Sequence, residues 1–438
     1  MSSIKIGNAG GFWGDDPGAP LRLVQQAPEL DVLTVDYMAE VSLSILAKQR
    51  DRGGAGYPRE FVDAVRDLAP LWKDGRRFKF VSNGGGLDPI GAADAAAEVL
   101  REAGFDDLKI AAVTGDDVID RLRADPDAEH FKHLDAGLPL TDVLDRLTTA
   151  NAYVGAAGAV DALKQGTDIV VAGRLADPSM AVAAAAAHFD WPLDDWQKLA
   201  GATVAGHLIE CGQQVCGGIS TDWADMDDVD CGYPFVEVDA DGGCVVTKPA
   251  RTGGRVDVRT VSEQLVYELG DPANYLSPDC RVSFLTLDVD QVGDDRVRVR
   301  GASGSRPTDY YKVSATYRAG WRCSGNLTIV GDHATTKAKA AGELVLRRLE
   351  QQARRPDRQH VEVVGEGHAV TLRVGVADSD RGVCETFSRL LMPLVCGGPP
   401  GTTGYADGRP PVREIFGYWP CLIPREQVEC NVHVRSVS

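Results

Sequence analysis

Residues 78–104, FKFVSNGGGLDPIGAADAAAEVLREAG, decide how the first half of this chain reads. FKFV is a short apolar run of strand character, and an Asn-Gly-Gly-Gly turn follows it. GAADAAAEVLREAG then sets apolar residues at helical spacing ahead of a glycine stop. Strand, turn and helix in that order make half of a β-α-β unit. The pattern recurs on either side: IKIG, DVLTVDYM, LKIAAVTG, AYVG and DIVVAG are further strand candidates, separated by amphipathic stretches such as EFVDAVRDLAPLW. The alternation predicts an α/β fold, with a mostly parallel sheet flanked by helices over residues 1–195 and binding sites at the carboxyl ends of its strands.

From residue 196 the texture changes. LAGATVAGHLIECG reads as a helix, FVEVDADGGCVVTK as a hairpin, DRVRVRG as a strand, and VSATYRAGWRCSGNLTIVG as a further pair of strands. A helix at KAKAAGELVLRRLEQQ and strands at VEVVGEG, VTLRVGVA and VECNVHVRSV follow. Residues 196–438 are therefore expected to form a more antiparallel α+β region that completes the site, with 346–438 as a candidate small subdomain.

The chain of 438 residues carries 64 acidic and 46 basic side chains, a formal charge of -18. That balance argues against nucleic acid or an anionic membrane as partner. No stretch approaches the roughly 20 apolar residues of a spanning helix, and the N-terminus opens on a strand instead of a signal segment. A soluble cytoplasmic protein with a small-molecule substrate is expected, and a homo-oligomer is compatible with the composition. None of the ten cysteines lies in the first 210 residues and no C-x-x-C occurs, so neither a disulfide scaffold nor a zinc knuckle is read.

Two loops of similar form follow strands: GNAGG, with Asn8, Gly10 and Gly11, and SNGGG, with Asn83, Gly85 and Gly86. Such turns can aim backbone N–H groups at an anion or carbonyl oxygen, or they can be tight turns with no ligand. Neither matches a nucleotide fingerprint. In GRLADPSM, Asp177 fits a helix N-cap and Pro178 the first helical position, with Ser179 a candidate binding residue beside them. Arg174 ends a buried strand, where a guanidinium calls for an anionic partner, either Asp177 or a substrate group. In AGHLIECGQQVCGG, His207 and Glu210 are three apart on one helix face, a spacing suited to proton transfer but supplying too few ligands for a metal. Lys248, Thr252 and Gly253 in TKPARTGG could bind phosphate or a thioester oxygen, or simply close a hairpin. No cofactor signature is identified, and no metal site is assigned.

GNAGGFWGD, SNGGGLDP, GRLADPS, AGHLIECGQQVCGG, VVTKPARTGG, EQLVYELGDPANYLSPD, DRVRVRGASG and KVSATYRAGW stand in the order seen in the acyclic terpene utilisation (AtuA-like) family. The chain resembles that family well over residues 4–350 and more loosely to its end, and is expected to stop short of a complete copy of the ferredoxin-like C-terminal domain that some members carry. The resemblance implies a place in the breakdown of citronellol- and geraniol-type compounds through branched acyl-CoA thioesters, and no residue role transfers with it. The resulting expectation is a hydratase or lyase acting on a branched or unsaturated acyl-CoA-like substrate. In it the Asn/Gly loops supply oxyanion donors, Arg174 and Lys248 hold anionic groups, and Glu210 with His207 moves the proton, Asp177 being the reserve acid. Two alternatives stay open: an ATP-dependent ligase or transferase with magnesium at the acidic run 225–230, and a non-catalytic subunit of an acyl-CoA-processing assembly.

Overall fold

The computed structural model describes residues 3–226, 228–403 and 408–437. The main sheet is built from β1 (Ser3–Asn8), β2 (Val32–Val35), β3 (Lys79–Ser82), β4 (Lys109–Thr114), β5 (Ile169–Ala172), β6 (Phe235–Asp239), β7 (Cys244–Thr247), β8 (Asp288–Gly293), β9 (Arg296–Arg300) and β10 (Asn431–Ser436). Their order across it is β8-β9-β7-β6-β1-β2-β3-β5-β4-β10. The block β1-β2-β3-β5-β4 is parallel, and every other neighbouring pair is antiparallel. The sheet expected to be mostly parallel is thus mixed, and it continues through residue 195, where a change of domain was expected. The hairpin β6–β7 was legible, but its docking on β1 is a long-range pairing with no local signal.

β2 and β5 are buried at every position, as strands covered on both faces must be. The helices Ala19–Gln26, Arg59–Lys73 and Pro89–Glu102 share one core with the sheet, where Leu23, Phe61, Leu68, Phe80 and Leu100 meet. The Phe61 and Phe80 rings stack there at 5.6 Å. The helices Ser179–Phe189 and Trp196–Ile209 pack on each other and on the sheet. Asp88 caps Pro89–Glu102 by accepting from the Gly91 N–H at 2.8 Å. No helix among the described residues is long and apolar enough to cross a membrane.

Two compact units are present. The first runs to Leu144, resumes over Thr148–Ala315 and takes in the chain from Trp419 on; the second is Asp145–Leu147 with Thr316–Tyr418. In the second, Arg358–Val364, Ala369–Asp378 and the later part of Tyr310–Val330 form an antiparallel sheet. The helices Ala334–Gln352 and Arg381–Leu391 contribute to its separate core around Leu327, Val345, Leu372 and Phe387. VSATYRAGWRCSGNLTIVG, expected to be two paired strands, lies within the single strand Tyr310–Val330. Gly320 takes φ +102° within that strand without ending it.

Candidate functional site

Because β1, β2, β3 and β5 run parallel, the loops after them share the carboxyl edge of the sheet. Arg174, just past β5, is only 1% exposed. Its Nη1 donates to Asp177 Oδ1 at 2.7 Å and to the Leu175 carbonyl at 3.3 Å, and its guanidinium lies 4.0 Å over the Tyr153 ring. The expected N-cap role of Asp177 is not seen. Pro178 occupies the cap position without a side-chain bond, the helix starts at Ser179, and the Asp177 carboxylate turns to Arg174 instead. Past β2 stands a carboxyl not picked out in the sequence, Asp36, which is buried. Its Oδ1 accepts from Asn83 Nδ2 and the Met38 N–H, both at 2.8 Å. Burial and the charge of Asp177 push Asp36 well above the ordinary carboxylate range, against the pull of Arg174 and Asn83.

The helix Trp196–Ile209 delivers the second cluster. His207 sits in its last turn and Glu210 directly after it. His207 Nε2 is 3.0 Å from the Gln264 carbonyl and Nδ1 is 3.0 Å from Glu210 Oε1. A carbonyl only accepts, so Nε2 carries hydrogen, and a second proton must lie between Nδ1 and Oε1. The pair is therefore imidazolium–carboxylate or imidazole–carboxylic acid, both of zero net charge. Burial raises Glu210 above its usual value, with Asp177 and Glu268 adding to it against His207. Burial opposes charge on His207, but the Glu210 carboxylate outweighs it and the imidazole is raised as well. Glu210 Oε2 is buried and has no hydrogen-bond partner. Both ring nitrogens of His207 are engaged within the protein, one of them on Glu210.

The Asn/Gly loops do other work than expected. Asn8 Nδ2 donates to the carbonyls of Gly10, Ile209 and Glu210 at 3.0, 2.8 and 3.0 Å, and Oδ1 accepts from Thr34 Oγ1 at 2.9 Å. Its amide caps the free carbonyls at the end of the helix that carries Glu210. Gly11 lets the loop pass that helix end, since a Cβ there would lie 3.1 Å from Cys211 backbone atoms. Gly10 packs against Val35. In the other loop the N–H groups of Gly84, Gly85 and Gly86 go to Ser82 Oγ, the Ala172 carbonyl and the Asn83 carbonyl. A Cβ on Gly85 would lie 2.6 Å from that Ala172 oxygen. These donors are committed to the protein, which removes the expected oxyanion role of the second loop and makes Asn8 and Asn83 positioning residues.

Two further expectations change. Lys248 Nζ, buried, donates to the Thr252 carbonyl at 2.8 Å and pairs with Asp295 at 3.1 Å, so the Lys248–Thr252 turn closes on itself. Gly253 pairs with Cys231, leaving no room for a ligand against its Cα. Ser179 Oγ donates to Asp279 Oδ2 at 2.5 Å, tying the helix start to the small sheet of Tyr275–Leu276, Arg281–Ser283 and Ser303–Ser305. In the acidic run 225–230, Asp227 lies outside the described residues.

A cavity of about 240 Å³ opens beside the Arg174–Asp177 pair. Its wall includes Asp177, Tyr153, Tyr275, Tyr311, Lys312 and Arg425. Of the candidate catalytic and binding residues read from the sequence, only Asp177 lines it. Glu210 does not line it; the Tyr275 ring, which does, lies 5.7 Å from the ring of its partner His207. The tyrosines and the two cations come from segments far apart in sequence; Tyr275 and Lys312 lie in stretches that carried the family resemblance but were not read as site residues, and Asp36 carried the same signal as Arg174, a charge at the end of a buried strand. No curated protein and no solved structure matches the chain. The family model of the acyclic terpene utilisation protein AtuA does match, over residues 4–434, and a match of nearly the whole length places the chain in that family.

Proposed function

We propose that the protein is an enzyme that moves a proton on a branched or unsaturated acyl-CoA-like substrate, as a hydratase or lyase in acyclic terpenoid breakdown. One observation carries the reading: Glu210 Oε2 is buried without a partner while Oε1 is held by a histidine that is itself anchored on a backbone carbonyl. Such a carboxyl can take a proton from a substrate carbon or an attacking water, or give one to a leaving oxygen, through Oε2. The proton between Oε1 and Nδ1 shifts to balance the charge. The raised value of Glu210 brings its proton affinity nearer to neutral pH, where acid/base assistance is most effective. A second reading has Asp177 as the acting carboxylate, favoured by its place on the cavity wall.

The test is mass spectrometry of ligands retained by the purified protein, followed by thermal shift with acyl-CoAs, free acids and ATP. A true ligand raises the melting temperature with concentration by mass action. The reading requires the acyl-CoAs to do so; stabilisation by ATP alone would replace it with the ligase alternative.

A further inference from the structure

The cavity wall carries the hydroxyls of four tyrosines, Ser277 and Thr308. Tyr153 donates to Glu40 and Thr308 Oγ1 to the Tyr310 carbonyl, both at 2.8 Å. Ser277 Oγ accepts from the Asp279 N–H at 3.4 Å. The Arg425 guanidinium lies 4.1 Å over the Tyr311 ring, and Tyr310, 40% exposed, meets solvent. Tyr275 differs from the rest. Its backbone belongs to the strand Tyr275–Leu276, paired with Arg281–Ser283, and its half-buried ring is held 5.7 Å from that of His207 and 5.4 Å from that of Phe284. Its hydroxyl has no hydrogen-bond partner among the described residues. A tyrosine packed in this way ordinarily finds a partner for its polar tip, so a free hydroxyl on a cavity wall marks a contact for a ligand.

The surroundings decide what kind of atom that is. Burial, with the carboxylates of Glu210, Asp177 and Glu268, holds the phenol well above its usual range, so the hydroxyl keeps its proton and needs an acceptor for it. A free carboxylate is a poor acceptor here, because the cations around the cavity already stand beside carboxylates. Arg174 bonds Asp177 at 2.7 Å, Lys312 and Arg174 act on Glu40, and Arg425 acts on Asp279. An entering carboxylate would give up its water without gaining an uncompensated positive charge. A neutral oxygen carries no such penalty, and the aromatic and apolar wall at Tyr153, Leu276 and Leu422 suits the carbon skeleton attached to it.

We infer that Tyr275 donates a hydrogen bond to a neutral carbonyl oxygen of the ligand, and so selects carbonyl compounds over free acids at this cavity. The inference rests on reading the site as one that acts on an acyl group. It names the contact for the substrate oxygen, which the amides of the second glycine loop do not provide. A donor on a carbonyl oxygen draws electron density from the neighbouring carbons, and it stabilises the negative charge that gathers on that oxygen when a proton is taken from the α-carbon. The phenol keeps its own proton throughout. The carbonyl belongs either to a thioester or to a free ketone or aldehyde.

The test is calorimetric titration of the full chain and of its Tyr275→Phe variant with methyl isobutyl ketone, S-methyl thioisovalerate and isovalerate. Isotope-edited infrared spectra of the carbonyl-labelled ketone bound to each protein accompany it. The ketone should bind the wild type about two- to tenfold more tightly than the variant, as expected for one neutral hydrogen bond. Its carbonyl stretch should lie at lower frequency on the wild type, a shift that a purely structural tyrosine would not cause. Isovalerate should bind the wild type roughly tenfold or more weakly than the ketone. Phenylalanine keeps the ring against His207 and Phe284, so the two proteins should melt together. Tighter binding of the thioester assigns the carbonyl to an acyl thioester; tighter binding of the ketone assigns it to a free carbonyl compound and counts against the acyl-CoA reading alone. Equal affinity and equal carbonyl frequency in the two proteins, isovalerate binding as tightly as the ketone, or no binding of any probe overturns the inference. The proton-transfer reading fails separately: a Glu210→Gln variant that binds these probes and turns over normally would sink that reading and leave this one standing.

Discussion

Asp116, at the carboxyl edge after β4, offers a quantitative test of how the edge is built. It is buried, and its Oδ2 accepts from the Arg174 N–H at 2.8 Å and from Asn151 Nδ2 at 2.7 Å. Burial raises its carboxyl from 3.8 to about 6. The folded state then holds a proton that the unfolded chain releases between those values. Stability from this group is fully present below pH 3.8 and is lost as pH rises through about 6. A shift of roughly two units is worth about 3 kcal/mol at about 1.4 kcal/mol per unit. Asp116→Asn keeps an oxygen able to accept both donors and cannot ionise. Urea unfolding of the two proteins from pH 4 to pH 8 should show the variant gaining on the wild type by about 2–3 kcal/mol across that range. The comparison cancels the titration of Asp36 and Glu210, common to both. Parallel stability curves would refute the reasoning.

Arg174→Met should cost about 2–4 kcal/mol in denaturant unfolding, because it strips Asp177 of its partner and Tyr153 of its stacked cation. Arg174→Lys should recover only part of that, since lysine cannot stack as a plane. Asn8→Ala removes the amide that caps the carbonyls of Ile209 and Glu210, and should cost about 1–3 kcal/mol. Faster amide exchange should be confined to the last turn of Trp196–Ile209 and the residues after it; a uniform change across the sheet would count against a capping role.

The parallel block was legible because strands buried on both faces read as continuous apolar runs, and the helices between them carried spacing and stops. What escaped was long-range. Nothing in FVEVDADGGCVVTK says that its first strand docks antiparallel on β1, nor in VECNVHVRSV that it closes the far edge beside β4. VSATYRAGWRCSGNLTIVG read as two strands, but it continues as one through Gly320. At the site, Arg174 was visible as a charge at the end of a buried strand, and Glu210 by its spacing of three from His207 on one helix face. Asp36 sent the same signal from DVLTVDYM and was passed over as part of a strand. The asparagines were recognised as special but given the wrong partner. An Asn in a glycine turn can present backbone to a ligand or tie down a neighbouring helix, and only the position of Trp196–Ile209 decides for the latter at Asn8. The four tyrosines of the cavity were not read as a group, since three separate stretches of chain bring them together.

The most direct measurement is turnover and melting temperature of Glu210→Gln on one preparation, with the acyl substrate found by the ligand survey. Glutamine keeps the size of the side chain and can still bond to His207 Nδ1, but it cannot transfer a proton. If Glu210 is the acid/base group, turnover falls by about 10²- to 10⁴-fold with the melting temperature held or raised, because a buried carboxyl with an unpartnered oxygen is removed. A lower melting temperature with near-normal turnover would make Glu210 a structural group and transfer the proton to Asp177.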